Sequence, residues 1–67
     1  MDDKYIGKIA KVVSEVTKSE GRVAIYGEEW QAKLKDDAPE NSVGAGESVK
    51  IVSNDSIIFT VEKIKEN

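Results

Sequence analysis

Arg22-Val23-Ala24-Ile25-Tyr26-Gly27-Glu28-Glu29-Trp30-Gln31-Ala32-Lys33-Leu34 is the most regular stretch of the chain. In its second half Trp30, Ala32 and Leu34 alternate with Glu29, Gln31 and Lys33. Successive side chains of a strand point to opposite faces, so this period of two turns the first set inward and the second toward water. Val23 and Ile25 repeat the pattern between Arg22 and Tyr26. Gly27-Glu28, lying between the two runs, predicts a tight hairpin connection.

On the N-terminal side, residues 5–16 place Ala10, Val12, Ser14 and Val16 on one face and Ile9, Lys11, Val13 and Glu15 on the other. Ile9 and Val13 also require cover, which predicts that part of this long first strand is buried on both sides. Lys18-Ser19-Glu20-Gly21 reads as a turn. Residues 35–46 form a polar connection containing Pro39, Gly44 and Gly46, with room for a short helical turn over 38–41. Pro39 has no N–H to give to a central ladder. Residues 48–53 turn Val49 and Ile51 to one side, Asn54-Asp55 signals a turn, and residues 57–61 bring Ile57, Phe59 and Val61 inward. Residues 62–67 are charged and are expected to fray.

The composition agrees with strands throughout. Hydrophobic residues make up 39% of the 67 positions, and 15 of them are Val or Ile against a single Leu and a single Met. Branched side chains of this kind pack well on a pleated surface and lose rotamer freedom in a helix. Five short strands cannot build a large sandwich, and a flat sheet would expose one face and both edges. Closing the sheet removes the edges. The expected fold is therefore all-β, a small five-stranded Greek-key barrel of the OB type, with an SH3-like barrel as the nearest competitor. A connection over 35–46 that crosses between the third and fourth strands distinguishes the first. One domain spans residues 1–67, with its core over 5–62 and a tail over 63–67.

Several function classes drop out early. Without cysteine or histidine there is no disulfide, no Cys/His zinc site and no imidazole base. Ten Lys/Arg against thirteen Asp/Glu leave a net charge of −3 and a pI near 4.9, the wrong balance for a protein that neutralises phosphates. The cations that could gather locally are Lys4, Lys8 and Lys11, Lys33 and Lys35, and Lys63 and Lys65. Apolar runs are as short as Val23-Ala24-Ile25, too short for a membrane-spanning helix. The start, Met1-Asp2-Asp3-Lys4, lacks the features of a signal peptide, so Asn54-Asp55-Ser56 is taken as a turn rather than a glycosylation site.

The order of pieces is more informative than any one of them. Gly7 is followed by a small-residue strand over 10–16, then Gly21-Arg22-Val23-Ala24-Ile25, Gly27-Glu28-Glu29-Trp30-Gln31-Ala32, Gly46-Glu47-Ser48-Val49-Lys50-Ile51-Val52 and Phe59-Thr60-Val61. This series, covering roughly residues 5–62, resembles the C-terminal soluble domain of the NfeD family. Two positions depart from the family pattern: Lys18 stands where many relatives have proline, and Ala10 where they have glycine. The resemblance implies a barrel carried behind transmembrane helices, accompanied in long forms by a serine protease domain, and working with stomatin- or flotillin-type membrane proteins. On that basis the 67 residues look like an excised soluble domain of a membrane-associated protein on the cytoplasmic side. The resemblance implies that it acts by protein–protein contact and inserts no segment of its own into the bilayer.

Individual residues support no chemistry beyond contact. Trp30 reads either as an interface anchor or as core filler. Its alternation with Ala32 and Leu34 selects the core, where the indole N–H needs a partner. Gly21, Gly27, Gly44 and Gly46 lack phosphate-loop spacing and read as turns or bulges with positive φ. Asp36, Asp37 and Glu40 lack the offsets of a calcium loop, and Glu28 and Glu29 point to opposite faces. Lys18-Ser19 are adjacent residues of a turn, which seldom aim at one another, and nothing buries the lysine. Of the other aromatics, Phe59 faces inward, Tyr26 is the best exposed and Tyr5 sits at a strand start. Two scattered tyrosines make a poor base-stacking platform. No catalytic, cofactor-binding or metal-ligating residue is assigned, and no cofactor is expected. The sequence points to a non-enzymatic interaction module. A single-stranded nucleic-acid binder of the OB type is the alternative.

Overall fold

Consecutive residues with positive φ make the tight turn whose twist matches paired strands, and Tyr26 (φ 54°) and Gly27 (φ 78°) supply them. The computed structural model describes residues 4–64. In it the hairpin joins β3 (Arg22–Ile25) to β4 (Glu28–Leu34), with Ile25 opposite Glu28. The turn therefore sits one residue earlier than the Gly27-Glu28 expectation. Before it come β1 (Ile9–Ser14) and β2 (Val16–Thr17), and after it β5 (Ser42–Val43), β6 (Ser48–Asp55) and β7 (Ile58–Lys63).

Five strands close into a barrel in the order β1-β3-β4-β7-β6, with β6 returning to β1. Every barrel pairing is antiparallel except β4 with β7, which run parallel from Gln31↔Ile58 to Leu34↔Val61. Counting barrel strands in chain order, the third lies beside the fifth and the fourth beside the first. This is the crossing expected of residues 35–46 in an OB-type barrel. The connection also carries β5, which pairs with β2 as a separate two-stranded piece. Ala38 N–H donates to Lys35 O at 3.1 Å, closing a turn over Asp36-Asp37 in place of the helical turn expected over 38–41.

The inward face is apolar throughout. Val12, Val16, Val23, Leu34, Val43, Val49, Ile51, Phe59 and Val61 are fully buried, and no polar or charged residue is buried with them among the described residues. Three expectations about facing change. The long first strand is split at Glu15 into β1 and β2, and Val13 is an extra residue between the pairs Val12↔Val23 and Ser14↔Arg22. That bulge shifts the alternation, leaving Ser14 exposed. Ile9 and Val13 are also exposed, because a sheet closed on itself has no second layer outside it. Asn54-Asp55 ends β6, and the turn is Ser56-Ile57, which leaves Ile57 70% exposed rather than inward. Glu62 and Lys63, expected to fray, still belong to β7, and residues 65–67 of the expected tail lie outside the described residues.

Of the glycines, Gly21 leaves the least room for a side chain. A Cβ there would lie 2.5 Å from Val16 Cα and 2.7 Å from Val16 Cγ2, at a φ of +150°. Gly44, by contrast, has no positive φ, and a Cβ would meet only Glu47 Oε2 at 3.5 Å. It is the one of the four singled-out glycines whose backbone does not demand glycine.

Gly21→Ala is expected to cost at least about 2 kcal/mol, from the backbone and the clash with Val16 together. Gly44→Ala should stay within about 0.5 kcal/mol of the parent. Thermal and urea unfolding of both variants checks the contrast. Phe59→Ala should cost about 3–5 kcal/mol. A chain of this size holds only about 3–10 kcal/mol in total, so circular dichroism should show a largely unfolded protein at physiological temperature.

Candidate functional site

Because β4 and β7 are parallel, their first residues lie at the same end of the barrel, and so do the two turns that precede them. β1 also begins there. Residues leading into β1 are fastened to β6: Gly7 N–H donates to Ile51 O at 2.8 Å and Ile51 N–H to Lys8 O at 2.9 Å. Lys8 N–H donates to Tyr5 O at 3.1 Å, folding the lead-in back so that the Tyr5 ring covers this pole.

All four aromatic residues of the chain meet here. The Tyr5 ring lies 5.4 Å from Trp30, 5.4 Å from Phe59 and 6.1 Å from Tyr26, and Trp30 stacks on Phe59 at 4.9 Å. Such pairs add to the burial of their area. Phe59 and Tyr5 are buried, Trp30 is half-buried against the core, and Tyr26 is 69% exposed. Trp30 thus lies at the boundary between core and surface. Its Nε1 is buried without an acceptor among the described residues, so the partner that a core position calls for is not supplied. The Tyr5 hydroxyl donates to Glu28 Oε1 at 3.4 Å, and Lys4 Nζ lies 5.2 Å from the Tyr5 ring centroid. With Tyr26 and Ile57 exposed on the two turns, the pole presents an apolar, aromatic tip over a packed base.

Tyr26 occupies a backbone conformation that bulky side chains rarely adopt. Asparagine or glycine is the usual residue at that turn position. A large ring held there, mostly in water, is costly to the fold and available to a partner.

The groove where OB-type barrels commonly bind oligonucleotides, formed by the second and third barrel strands and the neighbouring loops, has a different character. It encloses about 470 Å³ and is lined by Ser14, Glu15, Thr17, Ser19, Glu20, Gly21, Arg22, Gln31 and Ile58. Two glutamates face one arginine, and Arg22 Nε is itself paired with Glu29 Oε1 at 3.4 Å. None of the aromatics lines this groove, so it offers neither stacking surface nor free cation to a nucleic acid.

The remaining singled-out residues serve local structure. Thr17 Oγ1 accepts from Ser19 N–H and Glu20 N–H, and Thr17 N–H donates to Glu20 O, so Lys18 and Ser19 sit in an exposed, self-bonded turn. Asp37 pairs with Lys35 in the turn after β4. Among the described residues no three acidic side chains converge as metal ligands. Glu28 and Glu29 take separate partners, Tyr5 and Arg22. The grouping of Tyr5 with Tyr26 is what sequence reasoning missed. The available signal was Tyr26-Gly27 itself: a two-residue turn placed there puts an aromatic side chain at its tip.

Comparison with known proteins places this geometry. No helix among the described residues is long and apolar enough to cross a membrane. A search of the curated proteins finds no match. Among solved structures, the C-terminal domain of stomatin operon partner protein 1510-C from Pyrococcus horikoshii is similar at a TM-score of 0.86 and 29% identity, covering 98% of this chain and 97% of that one. A second is the soluble domain of a membrane protein implicated in regulation of membrane protease activity from Corynebacterium glutamicum. It is similar at a TM-score of 0.79 and 27% identity over 88% of this chain and 90% of that one. The family of NfeD-like C-terminal, partner-binding domains matches residues 2–63. With nearly the whole chain matched and the OB-type barrel in place, the protein belongs to the family of NfeD-like C-terminal, partner-binding domains.

Proposed function

We propose that this domain docks a stomatin- or flotillin-type membrane protein through its aromatic pole. It does so as the non-catalytic contact module of a membrane-associated protein, on the cytoplasmic side. The observation that carries the reading is Tyr26, 69% exposed at a positive φ and in ring contact with Tyr5. Tyrosine and tryptophan are enriched among the residues that dominate interface energies, and they act from a rigid, well-packed base. Here Phe59, Trp30 and Tyr5 form that base. Similarity to the domain of a stomatin operon partner supports the choice of partner, and similarity to the soluble part of a membrane protein supports the setting. The absence of histidine and cysteine from the chain supports a role in contact rather than chemistry.

Tyr26→Asn separates function from folding. Asparagine suits the turn, so stability should hold or rise by up to about 1 kcal/mol. Affinity for a stomatin-type protein reconstituted in lipid nanodiscs should fall at least roughly tenfold, the size of one interface anchor. Unchanged affinity in Tyr26→Asn and in Ile57→Ser would place the contact elsewhere. A titration of single-stranded DNA and RNA at low and moderate salt should show no salt-sensitive binding, given the acidic lining of the groove beside β3 and β4.

A further inference from the structure

The outer side of β1, β6 and β7 carries a different chemistry from the rest of the molecule. Their inward residues Ala10, Val12, Val49, Ile51 and Val61 are buried, so Ile9, Lys11 and Lys50 face out. Ile9 lies opposite Lys50, Lys50 opposite Glu62, and Lys11 opposite Ser48. Ile64 follows β7 and, with Ile9, Lys50, Glu62 and Lys63, lines a groove of about 420 Å³. Ile9 is 53% exposed on its wall.

Charge on this face is opposite in sign to that of the chain. The two acids, Glu62 and Glu47, are already taken: Lys35 Nζ is 3.6 Å from Glu62 Oε1, and Lys63 Nζ is 3.4 Å from Glu47 Oε1. Lys11 and Lys50 make no ion pair with any described residue. Two cations without an ion pair among the described residues thus stand at a groove that holds Ile9 and Ile64, Lys50 in its lining and Lys11 two residues along β1 from Ile9, on a protein whose net charge is −3.

We infer that this face is a second contact surface, one that takes an acidic segment of a partner protein. The segment's carboxylates meet Lys11 and Lys50, and an aliphatic or aromatic side chain enters the groove between Ile9 and Ile64. The inference rests on the partner-binding reading of the domain but not on the aromatic pole. An anionic bilayer is the poorer occupant. Each lysine near such a surface contributes only about 1 kcal/mol, two are too few to hold a domain, and a flat lipid surface makes no use of a groove. A peptide uses both, since charge complementarity sets register while the inserted side chain supplies burial.

The test titrates the isotope-labelled domain, at low salt, with an acetylated peptide of Glu, Leu and Ser and with the same peptide carrying Lys for every Glu. Saturable amide shifts at Ile9, Lys11, Ser48, Lys50 and Ile64 are expected with the acidic peptide only. They should weaken roughly tenfold in the Lys11→Glu/Lys50→Glu double variant. Both positions are exposed, and Lys11→Gln/Lys50→Gln, with a smaller loss, guards against an effect on folding. Equal shifts with both peptides, no saturable shift, or shifts confined to Tyr5 and Tyr26 overturn the inference. So does a response of this face to phosphatidylglycerol vesicles but not to the peptide. In the nanodisc assay, full affinity of the double variant beside a loss in Tyr26→Asn also overturns it while leaving the proposed function standing.

Discussion

β1 is six residues long and has to hydrogen-bond on both sides, to β6 through Ile9–Lys11 and to β3 through Lys11–Ser14. Only a strand shared in this way lets five short strands close and leaves the barrel without an open edge. The bulge at Val13 gives β1 the extra bend that closure needs, and a second bulge at Val52 does the same for β6. Closure also draws the connection after β2 hard against the barrel. Gly21 O accepts from Ala32 N–H at 2.9 Å, and there is no space for a side chain between Gly21 and Val16.

Closure also decides which apolar residues can be exposed. A closed sheet has one interior, and fourteen hydrophobic residues fill it among the described residues, with no polar or charged residue buried beside them. Hydrophobic side chains outside have no layer to pack against, which is why Ile9 and Val13 stand in water. The poles are the other way out. At one of them, the lead-in to β1 and the β3–β4 turn bring the four rings together, so the same Phe59 that fills the barrel supports an aromatic surface above it. In the proposed reading stability and contact draw on one cluster, with a gradient from buried Phe59 to exposed Tyr26.

Charge is segregated with comparable economy. The groove beside β3 and β4 is lined by Glu15 and Glu20, whereas the outer side of β1, β6 and β7 carries lysines in excess. An acidic chain of 67 residues can thus present a neutral aromatic pole, an acidic groove and a cationic face on one small barrel. Separate surfaces of different chemistry on a rigid frame suit a partner-binding domain better than a single reactive pocket.

The five barrel strands, the hairpin at their centre and most of the core were legible in the sequence, because each depends on a local period of two. Val23, Ile25, Ala32 and Leu34 are buried as their alternation requires, and the glycines mark the connections between the strands. Order in the NfeD-like series of motifs was legible too. Only tertiary structure decided the rest. The bulge at Val13 adds one residue and turns Ser14 out although Val16 beyond it is buried, and no local pattern announces it. Two-residue elements such as β2 and β5 are too short to show a period. Above all, Tyr5, Tyr26, Trp30 and Phe59 are spread over 55 positions of the chain, and meet only because a parallel β4–β7 pair in a closed barrel brings their ends to one pole. Sequence spacing carries the period of a strand. It carries nothing of the crossing that determines which strands become neighbours.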